Sequence, residues 1–238
     1  MLDLKEEASF AELKKICREL GVPAPPEVFI GVQVHDKNGV LVFDDVQRGH
    51  SWTRNFYNIL YGAGSDCVGD GTDLFDAGKM SVKRTNGNIF SYTSGHIQRV
   101  STDVGSGFCN NGMNANYGIV VGSGTLAFDL NQFALDGLIA TGANSGQLAY
   151  QAMTNPEISS YTAGTKTWET THLRYFNNNS QAVVTVREVG LYWNGDAFWG
   201  GTLTLMLERS ILSSAVDVPV GAQLTVTYKI SMDFSAID

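Results

Sequence analysis

The chain has 238 residues, among them 26 Gly, 12 Phe, 9 Tyr and 4 Trp, and only 17% of its residues are charged. A chain of this length suits one β-rich domain, and the glycine and aromatic content favours strands joined by tight turns over surface helices. The formal net charge of −8, without any cluster of Lys and Arg, argues against nucleic-acid binding.

The sequence predicts neither a membrane or secretory segment nor a disulfide framework. The amino terminus, MLDLKEEASF, is acidic and lacks an apolar centre, and no run approaches the roughly 18 apolar residues of a membrane helix. Cys17, Cys67 and Cys109 are far apart and fit neither redox nor zinc spacing, so we interpret them as free thiols. We therefore expect synthesis in a cytosol and no contact with a membrane.

A short amphipathic helix is predicted near the amino end. Ser9 and Glu12 fit a capping box, and Gly21 followed by Pro23 is a typical stop, so the helix is expected over residues 10–20. A helix this short is marginal alone, so its apolar stripe has to pack on the protein's own β body or on another subunit. The stripe follows spacings of three and four residues and consists of Phe10, Leu13, Ile16, Cys17 and Leu20.

The remaining pattern predicts strands and turns. After a stiff linker, PAPPE at 23–27, a hairpin with a tight primed turn is expected at Asn38-Gly39, and residues 54–58 are interpreted as strand. Residues 62–116 predict long loops with a strand-like piece at 88–93. Strands are expected at 117–121 and 147–153, a hairpin at 166–176 and 182–193, and an alternating strand at 224–231.

Together these elements predict an all-β fold, an antiparallel β-sandwich of jelly-roll type, preceded by the short amphipathic helix. We expect two parts. Residues 1–26 hold the helix and the Pro-rich linker and are a possible anchor, and residues 27–238 form a single β-sandwich domain.

One acidic cluster has a spacing that suits a metal, in the segment SDCVGDGTDLFD. Its weak calcium candidates are Asp66, Asp70, Asp73 and Asp76. The ligand order and the closing Glu of an EF-hand are missing, so a solvated loop whose aspartates form turns is the alternative. The four histidines, His35, His50, His96 and His172, have no zinc-binding spacing. No metal or other cofactor is predicted.

The motifs of common catalytic sites are incomplete in this sequence. Gly122-Ser123-Gly124 lacks the outer glycines of a nucleophile elbow, and Gly78-Lys79 is followed by Met80 where a phosphate loop needs Ser or Thr. We therefore predict no catalytic residue and expect that the protein is not an enzyme.

Arg187 and Glu188 stand side by side within a run of apolar residues. The apolar phase set by Val184 and Val186 changes after this pair, which predicts a structural β-bulge at Arg187 and Glu188. A carboxylate turned inward there needs a partner, and Arg187, Arg174 and Arg209 are the candidates. Catalysis by Glu188 is the alternative, but glycoside chemistry requires a second carboxylate that this segment does not contain.

Three phrases of the second half occur in a familiar order: GIVVGSGT, then RYFNNNSQAVVTVREVGLYW, then LERSILSSAVDVPVGAQLTVTYKIS. In this order the sequence resembles virion structural proteins of tailed bacteriophages, over residues 117–232. The resemblance implies a β-rich subunit made in the host cytoplasm and assembled into the virion as tail, neck, fibre or capsid decoration. It carries over no catalytic residue and does not include the helix or the linker.

The resulting hypothesis is a homo-oligomeric virion subunit whose partners are its own copies and other virion proteins. The alternative is recognition of a host glycan, with Trp193, Phe198 and Trp199 stacking on sugar rings. A third hypothesis, a glycan-cleaving enzyme, requires two facing carboxylates about 5 to 10 Å apart that distant loops would have to bring together.

Overall fold

The structure is a computed structural model that describes residues 4–50, 52–65, 81–91, 97–98, 108, 112–153, 157–197 and 201–235. The fold is mostly β, with two antiparallel sheets in a sandwich-like arrangement and an N-terminal helix. The helices are α1 (Leu4–Leu20) and α2 (Arg54–Ser65). Neither of these helices is long and apolar enough to span a membrane.

The first sheet pairs its strands in the order β2-β1-β12-β9-β7, with β8 paired to β9. These strands are β1 (Glu27–His35), β2 (Leu41–Arg48), β7 (Ala149–Tyr150), β8 (Glu157–Thr162), β9 (Thr167–Asn177) and β12 (Gln223–Asp233). The predicted alternation on β12 is confirmed in part: Leu224, Val226 and Tyr228 are fully buried against the second sheet, while Thr227 and Lys229 are half-buried. Thr225, predicted on the solvent face, is also buried, and Ile230 is half-buried.

The second sheet is built on the long pair β10 (Val184–Ala197) and β11 (Gly201–Val218). Strand β10 also pairs with β5 (Ile97–Gln98) and β6 (Gly118–Gly122). A separate two-stranded sheet joins β3 (Ser81–Lys83) to β4 (Ile89–Ser91). The core lies between the two large sheets and is mostly aliphatic, including Ile30, Val120, Val189, Leu205 and Val226.

The predicted hairpin of residues 166–176 and 182–193 is wrong. Strand β9 pairs with β12 in the first sheet, whereas β10 pairs with β11 in the second. The chain therefore arches from one sheet to the other, and residues 219–222 form a second arch beside it. Asn178, fully buried, joins the arches: its amide donates to the carbonyls of Ala182 and Val218, and its backbone N–H donates to Ala222.

Helix α1 is longer at its start than the capping box predicted. It begins at Leu4, so Ser9 lies inside the helix, because the preceding Lys5, Glu6, Glu7 and Ala8 are themselves good helix formers. The predicted stop is confirmed. Gly21 has a φ of 66°, and the N–H groups of Gly21 and Val22 donate to the carbonyls of Arg18 and Cys17, which is a Schellman cap.

Two predictions are wrong in the segment of helix α2. Residues 54–58 were predicted as strand and residues 62–65 as loop, but all of them lie in the helix. Thr53 precedes the helix, and its hydroxyl donates to the carbonyl of Met206. Phe56 stacks on Trp52 with ring centroids 4.1 Å apart, and Ile59, one turn later, packs on the core. Apolar residues three apart on one face are the helical period that the sequence reasoning overlooked.

The turn between β1 and β2 also differs from the predicted primed type. The N–H of Gly39 donates to the carbonyl of Asp36, so Lys37 and Asn38 are the central residues, and neither has a positive φ. Gly39 follows with a φ of 79°. The Asp36 carboxylate accepts from the N–H groups of Asn38 and Val40, and these hydrogen bonds lower its pKa. This side-chain cap stabilises a type I turn with a bulge glycine.

Candidate functional site

Glu188 is part of the scaffold, with its fully buried carboxylate in a network of hydrogen bonds. Its Oε2 accepts from Arg209 Nε at 2.6 Å and from the N–H of Asp136, and its Oε1 accepts from the N–H groups of Gly124 and Gly137. Arg209 in turn donates to Leu126 O at 2.9 Å and to the Gln132 side chain at 3.0 Å. The ion pair thereby holds the loop of residues 124–137 against β10 and β11.

The glycines of the GSG phrase allow this network to form. A Cβ on Gly122 or on Gly124 would lie 2.5 Å from the Glu188 Oε1 atom, and a Cβ on Gly137 would lie 2.8 Å from the Gly124 nitrogen. Only residues without a side chain allow the backbone to approach the carboxylate this closely. Gly122-Ser123-Gly124 therefore leaves the space that the buried Glu188 carboxylate occupies.

The pairing of β10 with β11 shifts register between Val186 and Glu188, where the sequence predicted a bulge. The additional residues lie on β11. Val186 pairs with Val216 and Glu188 with Ile211, so residues 212–215 stand opposite Arg187 alone. Strand β10 keeps its alternation through Glu188 and is buried on both faces beyond it. The apparent change of phase reflects this double burial, and Arg209 is the partner of Glu188.

Arg174 is a second buried charge, and it holds another loop. Its guanidinium donates to five carbonyl oxygens at 2.7 to 3.1 Å, those of Gly112, Asn114, Tyr117, Ile119 and Gln151. The guanidinium carbon also lies 4.8 Å from the ring centroid of Tyr150. Burial lowers the pKa of Arg174 to about 10, so the group keeps its charge at neutral pH. Four of these five hydrogen bonds go to residues 112–119, so the rigid guanidinium fixes that segment.

An open depression of about 510 Å³ lies between these two loops. Tyr192 and Asn194 on β10 and Thr204 on β11 form its floor, because Asn194 and Thr204 are paired across the strands. The Tyr192 hydroxyl accepts from the N–H of Leu135, and burial raises the pKa of this phenol above its usual value. The remaining lining residues are Thr85, Asn86, Ala115, Asn116, Tyr117, Ala134, Leu135 and Leu138.

Helix α1 has one face locked to the β body. The Arg48 guanidinium carbon lies 3.4 Å from the ring centroid of Phe10, Lys14 forms an ion pair with Glu27, and Cys17 is buried. The predicted stripe is therefore divided. Phe10 and Cys17 face the protein's own strands, whereas Leu13, Ile16 and Leu20 are 39%, 42% and 70% exposed. We call these three residues the outer stripe.

Strand β2 ends the order of the first sheet among the described residues and also exposes apolar side chains, Val42 and Val46 among them. Two features protect this edge. Asp44 and Asp45 occupy its centre, and the Gln47 amide bonds to β11, donating to Ile211 O at 2.9 Å and accepting from the N–H of Ser213. Charges on an edge strand disfavour pairing with an identical strand.

The other predicted site residues have different outcomes. Trp193 is half-buried and packs against the core, with its indole over the backbone of Gly195, on the opposite face of β10 from Tyr192 and Asn194. Phe198 and Trp199 lie outside the described residues, as do the calcium candidates Asp66, Asp70, Asp73 and Asp76. Within the described part of the chain, no group of three His, Cys, Asp or Glu side chains could hold a metal ion.

The sequence reasoning did not single out Arg174 as a loop anchor or the asparagines of the depression. The buried residues of β9 are His172, Arg174 and Phe176, and this mixed pattern gave no clear signal for Arg174 as an anchor. Nothing in the local pattern brings Asn86, Asn116 and Asn194 together, because they come from three distant segments.

Comparison with known proteins found no matching family model, curated protein or solved structure.

Proposed function

We propose that the chain is a structural subunit of a tailed-phage virion, made in the host cytoplasm, which self-associates into a homo-oligomer and contacts other virion proteins. Two supports are the resemblance of residues 117–232 and the use of the buried Glu188, Arg209 and Arg174 as scaffold. The observation that carries the proposal is the division of α1 into a locked face and an exposed apolar face.

Because one face of α1 packs on the β body, the outer stripe has a fixed position on the protein surface. Phe10 stacks on Arg48 and Lys14 pairs with Glu27, and these contacts hold the helix in place. A partner can therefore bind the outer stripe without the entropy cost of ordering a mobile segment. Exposed apolar side chains clustered on one rigid element mark interaction sites.

A second copy of the same chain is the occupant we propose for the outer stripe. The whole chain carries a net charge of −8, which opposes self-association. Side chains of both positive and negative charge flank the stripe: Lys15 lies 3.9 Å from Glu12 and 4.0 Å from Glu19. A two-fold contact needs such a self-complementary surface, whereas the β2 edge presents Asp44 and Asp45 to its copy.

The finer fold assignment belongs to the same proposal. We infer a jelly-roll relation between the strands, and its support is the pair of arches by which the chain crosses between the sheets after β9 and after β11. Connections between sheets of this kind are typical of jelly rolls and other Greek-key sandwiches.

Light scattering coupled to gel filtration tests the self-association. The full chain is expected to elute as an oligomer at micromolar concentration, and the triple variant Leu13→Gln, Ile16→Gln, Leu20→Gln as a monomer with unchanged circular dichroism, since Gln favours helix. The control Val183→Gln, Val220→Gln changes apolar side chains with similar exposure elsewhere and is expected to keep the oligomer. A monomeric wild-type chain would overturn the proposal.

Placement in the virion has its own test. Quantitative mass spectrometry of purified particles is expected to find the chain in a fixed number of copies, and the triple variant is expected to be depleted from them. Particles without the protein would contradict a virion role even if the isolated chain is oligomeric.

A further inference from the structure

The depression between the two anchored loops has the properties of a ligand site, and neither the fold nor self-association requires it. One wall is held by Arg174 through the carbonyls of residues 112–119. The opposite wall is held by Glu188 and Arg209 through residues 124–137. Both walls are thus supported from behind by fully buried charges.

This support fixes the geometry of the walls. Burying a guanidinium or a carboxylate carries a desolvation cost of several kcal/mol per ion, and hydrogen bonds in a single loop geometry offset it. A loop that departs from that geometry leaves the charge unsatisfied. The walls are therefore preorganised, as the rigid support of a binding site has to be.

The lining is uncharged and combines polar with apolar groups. Among the lining residues, all of them described, there is no carboxylate and no cationic side chain. Amides and hydroxyls come from Asn194 and Thr204 on the floor, from Asn116 on the wall of residues 112–119, and from Asn86. The apolar groups come from Leu135 and Leu138, with the Leu138 side chain 44% exposed.

We propose that this depression binds a neutral, hydroxyl-rich ligand of the saccharide class. A sugar ring has apolar C–H faces and a rim of hydroxyls, so it matches a depression that holds both apolar groups and amides. The exposed Asn116 amide offers both a donor and an acceptor, and the exposed Asn86 amide offers a donor beside the oxygen that accepts from Asn88, so the two can pair with sugar hydroxyls. The volume of about 510 Å³ lies within the range of small-ligand pockets, about 300–1,000 Å³.

Other ligand classes fit less well. An anionic ligand finds no cation in the lining and approaches a chain of net charge −8, whereas a cationic ligand finds no carboxylate there. A purely apolar ligand would cover the exposed amides of Asn86 and Asn116 without offering them a hydrogen bond. The site differs from the stacking surface predicted at Trp193, Phe198 and Trp199, because Trp193 lies on the other face of β10.

Ligand-observed NMR on the full chain tests this inference. The probes are neutral saccharides, namely glucose, galactose, mannose, N-acetylglucosamine, lactose and maltose, with sialyllactose as the anionic counterpart of lactose. At least one neutral saccharide is expected to show saturation transfer from the protein. For lactose, the sialylated form is expected to bind more weakly.

Paired variants locate the site. Asn86→Ala with Asn116→Ala removes two exposed amides from the rim and is expected to weaken the binding of the best probe about tenfold. Asn116→Ala alone serves as the second variant, because Asn86 also caps the turn before Asn88. Asn144→Ala with Asn179→Ala removes two exposed amides outside the depression and is expected to leave affinity unchanged.

Two outcomes would overturn the inference: no saturation transfer from any neutral saccharide, or equal binding by wild type and by both rim variants. The assembly proposal stands apart from this result, because its test is oligomer mass and particle content. A monomeric chain that binds a saccharide would contradict the assembly proposal and support the saccharide site.

Discussion

Glu188 and Arg209 form a fully buried ion pair across β10 and β11, with 2.6 Å between Glu188 Oε2 and Arg209 Nε. Arg209 stands opposite Gly190, two residues along β10 from Glu188, so the pair is a diagonal cross-strand contact on one face. A Cβ on Gly190 would lie 2.9 Å from Leu135 Cδ2, so the missing side chain there leaves room for the 124–137 loop. Because backbone N–H groups occupy the rest of the carboxylate, Glu188 has no free face toward a substrate.

Glu188→Gln is expected to lower the free energy of unfolding by about 3 to 5 kcal/mol, because it leaves the Arg209 charge buried without a counter-ion. Urea denaturation followed by tryptophan fluorescence measures the change. The double variant with Arg209→Met is expected to lose less than the sum of the two single variants. Glu169→Gln, which breaks a partly exposed ion pair with Lys229, is the control and should cost at most about 1 kcal/mol.

Gly124→Ala is expected to destabilise the protein by about 2 kcal/mol or more, because its new Cβ would lie 2.5 Å from the Glu188 carboxylate. The 124–137 loop would have to move away from β10. Thermal unfolding measures the loss. At Gly164 a Cβ meets no atom within 4 Å and the φ is ordinary, so Gly164→Ala should be neutral or slightly stabilising. Equal losses of stability in Gly124→Ala and Gly164→Ala would contradict the close approach of Gly124 to the Glu188 carboxylate.

Features that depend on neighbouring residues were predictable from the sequence. The Gly21 cap requires a residue that tolerates a positive φ, and the burial of Leu224, Val226 and Tyr228 follows from their period of two. Both patterns are complete within about ten residues, so no distant segment could reverse them.

Features that depend on distant residues were not predictable. The short segment between β9 and β10 is compatible with a hairpin, and it becomes an arch because β12 and β11 take up the pairing of these two strands. Buried Asn178 joins that arch to the second one, because its side-chain amide donates to Val218 and its backbone N–H to Ala222, forty or more positions away. Similarly, the depression draws its asparagines from three segments, and only the folded chain shows that they meet.

Arg174→Lys is expected to loosen residues 112–119. A lysine ammonium has three donors at a single point and cannot satisfy five carbonyls that surround a planar guanidinium. Hydrogen exchange measured by mass spectrometry should show faster exchange across this segment, with a stability loss of about 2 to 3 kcal/mol. Arg187→Lys changes a half-buried arginine on β10 and should leave exchange in the segment unchanged. Unaltered exchange in Arg174→Lys would refute the anchoring role.

His172 is expected to make the fold acid-sensitive. Burial lowers its pKa to about 4 from an ordinary value of 6.5, so the folded state disfavours the protonated imidazole. Its cross-strand neighbour Tyr228 has a raised pKa and does not titrate in this range. The unfolded chain binds the proton more readily between about pH 4 and 6.5, so the free energy of unfolding should fall by up to about 3 kcal/mol as pH decreases through that window.

Urea denaturation at a series of pH values isolates this contribution. His172→Leu removes the titrating group from its apolar surroundings, so the variant should lose less stability between pH 6.5 and 4 than the wild type. His35→Gln, at a half-buried position at the end of β1, is the matched histidine substitution for comparison. Because the carboxylates contribute to acid unfolding in all three proteins, the difference between the profiles is the diagnostic quantity. Parallel profiles for wild type and His172→Leu would show that His172 is protonated equally readily in the folded and unfolded states.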